Sequence, residues 1–109
     1  MSADQSDSVE ARGDSVAARG FERDLVIVGG CGHVGLPLAI AFASRGLSVA
    51  IYDVAAEAVD LVNGGTMPFM EDGAAPELTA ALQAGLLRAS TDPAVVGTAE
   101  NVVVVIGTP

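Results

Sequence analysis

Apolar residues fall along this chain in two rhythms, and the switches between them divide it into elements. Leu25-Val26-Ile27-Val28 is a short continuous apolar run closed by Gly29-Gly30, the pattern of a strand buried on both faces. From Val34 to Arg45, Leu38, Ala41 and Phe42 recur at helical spacing, Pro37 falls in the first turn and Gly46 follows as a stop. Ser48 to Asp53 reads as a second strand. Ala55 to Val62 sets Ala55, Ala58, Val59 and Val62 on one helical face and ends at Asn63-Gly64-Gly65. A loop over Met67 to Gly73 leads to a helix expected from Pro76 to about Ala84. Leu86 to Ala89 predicts a short strand, and Asp92-Pro93 a short helix that Thr91 or Asp92 would cap. Val102 to Ile106 is a further β-branched strand. Strands alternating with helices predict an α/β fold whose parallel sheet is joined by right-handed crossovers, in the order 3-2-1-4.

The first twenty residues behave differently. Met1 to Gly20 is rich in Ser, Asp, Ala, Gly and Arg and shows no sustained period, so a disordered tail is expected before a domain over residues 21–109. At 109 residues the chain holds one domain at most. Its apolar runs are far shorter than the roughly 20 residues that cross a bilayer, so no membrane partner is expected. The formal charge is −9, and the five cations are all arginine. That leaves no phosphate-backbone footprint, and nucleic acid is not an expected partner. Cys31 is the single cysteine, which excludes an internal disulfide and a multi-cysteine metal site and fits a cytoplasmic protein.

Chemistry concentrates between the first strand and the first helix, at Gly30-Cys31-Gly32-His33-Val34-Gly35. A dinucleotide site asks three things of such a turn: a tight bend at Gly30, no side chain at Gly32 where pyrophosphate meets backbone, and close helix-to-strand packing at Gly35. Free N–H groups at the helix start then hold the phosphates. Asp53 follows Gly35 by 18 residues, at the end of the second strand, where an acid completes the fingerprint of a Rossmann-type, doubly wound domain. Its carboxylate accepts ribose hydroxyls, whereas a 2′-phosphate would meet a like charge with no Arg or Lys in Val54-Ala55-Ala56. The expected cofactor is NAD rather than NADP.

The turn alone leaves alternatives open. Gly29, Gly32 and Gly35 also satisfy G-x-x-G-x-x-G, the spacing of short-chain dehydrogenases and nucleotide-sugar epimerases. That class needs a Tyr-x-x-x-Lys, and this chain has one tyrosine, Tyr52, and no lysine. A non-catalytic NAD-binding module and other nicotinamide enzymes with this turn also stay open.

The stretch Val28 to Ala39, with Leu36-Pro37 after the third glycine, resembles the start of the UDP-glucose, GDP-mannose and UDP-N-acetylmannosamine dehydrogenases. Met67-Pro68-Phe69-Met70-Glu71-Asp72-Gly73 stands where that family carries Pro-x-x-Glu-Pro-Gly-Leu, and Ile106-Gly107-Thr108-Pro109 resembles the Gly-Thr-Pro after its fourth strand. Asp72 stands in place of a proline and His33 in place of a tyrosine. The resemblance implies oxidation of the C6 hydroxyl of a UDP- or GDP-sugar to a uronic acid with two NAD, for surface polysaccharide, by a homodimer. It also implies that Gly30, Gly32, Gly35 and Asp53 bind the first half of NAD, with Thr108 and Pro109 lining its middle. Cys31, His33 and Val34 belong to the same turn. The family's catalytic cysteine, lysine and asparagine come later than any residue here, so the chain is expected to be an incomplete Rossmann domain, cut after strand four and inactive alone.

The tempting residues take plain readings. Cys31 occupies a turn position where a small side chain suffices, and His33 is expected to pack or face phosphate rather than shuttle protons. Met67, Phe69 and Met70 are expected to plug the core. Glu71 is left without an assigned role.

Overall fold

The computed structural model describes residues 20–105. The expected tail, through residue 19, and the segment 106–109 lie outside them. The chain runs β1 (Arg23–Val28), α1 (Gly35–Ser44), β2 (Val49–Tyr52), α2 (Ala56–Asn63), α3 (Ala74–Gln83), β3 (Leu87–Ser90), a 3₁₀ turn (Pro93–Thr98) and β4 (Ala99–Val104). The four strands form one parallel sheet in the order β3-β2-β1-β4, as the alternation of elements predicts.

The period-two geometry of β1 and β2 divides their side chains between two cores. Leu25, Ile27, Val49 and Ile51 face a large cluster with Leu36, Ala39 and Ile40 of α1, Val59 and Val62 of α2, and Leu78 and Ala81 of α3. Val26 and Ala50 face the other way, onto Ala99 and the half-buried Val95 and Val96 of the 3₁₀ turn. Three helices therefore cover one face, and the 3₁₀ turn covers the other. Asp92 caps it by accepting from the Ala94 N–H at 3.0 Å.

Boundaries moved most where side chains turn outward. The last helix begins at Ala74, and β4 begins at Ala99, three residues before the apolar run suggests. Among the described residues β4 pairs with β1 alone, and Glu100, Asn101, Val102 and Val104 stand exposed in it. No helix among the described residues is long and apolar enough to cross a membrane.

Candidate functional site

In a parallel sheet the carboxyl ends of the central strands open toward one edge, and ligands bind where the strand order reverses. Here that point lies between β1 and β4, and the glycine turn sits on it. The turn starts with Gly29 N–H donating to the Tyr52 carbonyl at 2.8 Å, while Val105 N–H donates to the Val28 carbonyl at 2.8 Å.

Each glycine of the turn has its own reason. Gly29 adopts a φ of +83°, and a Cβ there would run into the Val105 carbonyl. A Cβ on Gly30 would lie 2.7 Å from the Ile51 side chain, and one on Gly35 would lie 2.6 Å from the Gly29 carbonyl oxygen. Gly32 is the exception. The nearest atom to a Cβ there is the Gly29 oxygen at 3.7 Å, ordinary contact, so the protein itself leaves room that a side chain would fill. The left-handed residue of the bend is therefore Gly29 and not Gly30, whose bareness serves packing on β2.

The start of α1 leaves backbone donors open. Val34 is its N-cap and makes no side-chain capping bond, and the first turn holds no acid. Leu36 N–H donates to the Gly32 carbonyl at 3.0 Å, but among the described residues the N–H groups of His33, Val34 and Gly35 find no acceptor. Unsatisfied donors at the positive end of a helix dipole, beside a position bare of side chain, fit a phosphate.

Asp53, at the end of β2, reaches back to this turn. Its Oδ2 accepts from Cys31 N–H at 3.0 Å and its Oδ1 from Ala55 N–H at 3.0 Å. Cys31 points inward and belongs to the main core. Burial, and then the Asp53 charge, push its thiol up to about 12 from 9.0, which keeps it protonated and a poor nucleophile at neutral pH. His33 stacks on Phe69, with ring centroids 4.2 Å apart and an interplanar angle of 23°.

The sequence matches the UDP-glucose/GDP-mannose dehydrogenase family, NAD binding domain, over residues 24–109. The chain belongs to this family. Among relatives, the UDP-N-acetyl-D-mannosamine dehydrogenase of Escherichia coli K12 is 44% identical over 64 residues, covering 59% of this chain and 15% of that protein. The GDP-mannose 6-dehydrogenase of Pseudomonas syringae pv. tomato is 35% identical over 81 residues, covering 73% and 18%. Among solved structures, a ternary complex of GDP-mannose dehydrogenase from Pseudomonas aeruginosa aligns with a TM-score of 0.74 at 32% identity, over 78% of this chain and 20% of that one. The UDP-glucose dehydrogenase of Pyrobaculum islandicum gives 0.74 at 30% identity, over 80% and 20%. The chain thus spans only 15% of the first relative's length. Membership in a family defined by its NAD-binding domain makes this an NAD-binding, oxidoreductase-type fold and decides against the epimerase spacing.

Within this family domain the expected site residues Gly30, Cys31, Gly32, His33, Val34, Gly35 and Asp53 are brought together at the carboxyl ends of β1 and β2, whereas Thr108 and Pro109 lie outside the described residues. The loop after α2 is only partly the expected plug. Met67 and Phe69 pack against the core, but Met70 is 95% exposed. Glu71 and Asp72 are exposed beside it. Sequence reasoning missed the Asp53 bond to Cys31 and the His33–Phe69 stack, because each joins segments distant in the chain.

Proposed function

We propose that the chain forms the NAD-binding part of an enzyme that oxidises the C6 hydroxyl of a UDP- or GDP-linked sugar to a uronic acid with two NAD, for surface polysaccharide. The observation that carries this reading is the α1 start, with its acceptor-free amides beside a glycine that the protein does not itself need bare. On this reading Gly32 gives the pyrophosphate its approach and the N–H groups of His33, Val34 and Gly35 hold it, while Gly30 and Cys31 shape the turn. Asp53 accepts the adenosine ribose hydroxyls, and Thr108 and Pro109 line the middle of the dinucleotide. Val54, 80% exposed directly after Asp53, offers an apolar surface for the adenine.

Bound NAD supplies the hydride acceptor. This chain's residues contribute orientation, holding one end of the dinucleotide fixed so that the other meets the sugar. Catalytic groups are assigned to residues outside this chain, and the working enzyme is a cytoplasmic homodimer. The test is NADH absorbance of the full-length gene product with UDP- and GDP-sugars, alongside NAD and NADP titrations. Turnover with a nucleotide sugar and NAD is expected. Binding of NADP as tight as that of NAD would sink the cofactor assignment, and an absence of turnover with every nucleotide sugar would sink the enzymatic one.

A further inference from the structure

The Asp53 carboxylate is already engaged by two backbone N–H groups, and one of them belongs to a different loop. The bond from Cys31 N–H to Oδ2, at 3.0 Å, spans 22 residues of sequence. We infer that Asp53 is a positioning residue for the phosphate turn, tying it to the end of β2 so that the amides of His33, Val34 and Gly35 are held ready before a dinucleotide arrives. The inference rests on the reading of that turn as the pyrophosphate site.

The turn needs such a tie. It has four glycines between positions 29 and 35, and glycine loses more backbone freedom on ordering than any other residue. Its own hydrogen bonding is thin: Gly32 N–H to the Gly29 carbonyl at 3.4 Å is long. A carboxylate acceptor makes a stronger bond to backbone N–H than a carbonyl does. The second bond, from Ala55 N–H to Oδ1 at 3.0 Å, fixes the carboxylate's orientation from the α2 side. A carboxylate has about four acceptor sites. Two amides occupy two of them and leave two for a pair of ribose hydroxyls, so tying the turn and reading the ribose do not compete.

A ligand without ribose hydroxyls separates the two roles. 2′,3′-Dideoxy-ADP keeps adenine and pyrophosphate but gives Asp53 nothing to accept. Deleting a negative charge beside an anionic probe favours binding, so any loss of affinity in Asp53→Ala reports the turn and not the charge. We expect Asp53→Ala in the full chain to bind dideoxy-ADP about threefold or more weakly than the parent. Unchanged or tighter binding overturns the inference. Amide exchange in the unsubstituted chain gives a second measurement that stands even if the variant does not fold or the probe does not bind. The Cys31 amide should exchange about 100-fold more slowly than those of His33 and Val34, since it alone of the three has an acceptor. Equal exchange at all three overturns the inference. Equal affinity of the parent for ADP and dideoxy-ADP, by contrast, removes only the ribose reading, and binding of neither removes the pyrophosphate reading, with exchange at Cys31 still deciding whether the tie exists.

Discussion

At the scale of single residues, the turn separates glycines the fold requires from one a ligand would require. Gly35 has no room for a Cβ, whose nearest atom would be backbone at 2.6 Å, whereas Gly32 has 3.7 Å of clearance. Gly35→Ala should therefore destabilise the chain by about 1–3 kcal/mol through overpacking. Gly32→Ala should change stability by no more than about 0.5 kcal/mol while weakening NAD about tenfold or more. Urea unfolding and NAD titration on both variants check this, and a Gly32→Ala protein that binds NAD like the parent would undo the cradle. The spacing of the glycines was legible in the sequence, but not which of Gly29 and Gly30 turns left-handed, since that depends on where Val105 and Ile51 come to lie. Cys31 gives a pH prediction. Its thiol is raised to about 12 in the folded chain from 9.0, so the unfolded chain ionises first as pH rises. The stability it contributes is complete below about pH 9 and declines between there and about 12. Thiol modification at pH 8 should run about a thousandfold more slowly than at an unshifted thiol, the ratio of their thiolate fractions. Rapid labelling of the folded chain at that pH would contradict it.

At the scale of elements, local rules located each strand and helix among the described residues and missed chiefly the starts of α3 and β4. β4 opens with Ala99-Glu100-Asn101, which no apolar pattern marks as strand. Pairing with β1, in the register Arg23 with Ala99 and Leu25 with Asn101, sets its start. α1 departs from the capping rules, with valine at its N-cap and no acid in its first turn. A helix that left its first amides open only by default would be poorer for it. Here the openness falls on the site, the place where local rules are expected to be broken. Asn63 was legible only as part of a helix stop. In the fold its side chain donates to the Ala89 carbonyl and accepts from the Ala89 N–H, both at 2.9 Å, and so joins the end of α2 to β3. Asn63→Ala strands both backbone groups of Ala89. It should cost about 1–3 kcal/mol, seen as a lower urea midpoint with the slope unchanged. An unshifted midpoint would show that water replaces the side chain at no cost.

At the scale of the whole molecule, the question is whether this chain can itself carry out the proposed reaction. The proposed reaction would need a cysteine thiolate, assisted by a lysine, at C6 of the sugar beside the nicotinamide. Such a thiolate must form near neutral pH and reach the reacting carbon. Cys31 meets neither condition: it is buried in the core beneath the turn, and burial and the neighbouring Asp53 push its thiol to about 12. The chain contains no lysine to take the second role. A dinucleotide whose pyrophosphate rests on the α1 start also carries its nicotinamide away from Cys31. The 109-residue chain should accordingly produce no NADH with any UDP- or GDP-sugar, and in the full-length gene product Cys31→Ser should keep near-parental turnover. Absorbance at the NADH band, followed for the chain, the full-length protein and the full-length Cys31→Ser variant, tests both statements. NADH formed by the chain alone, or turnover abolished in a folded Cys31→Ser protein that still binds NAD, would place the chemistry at the phosphate turn and reverse the division between holding the cofactor and acting on the sugar.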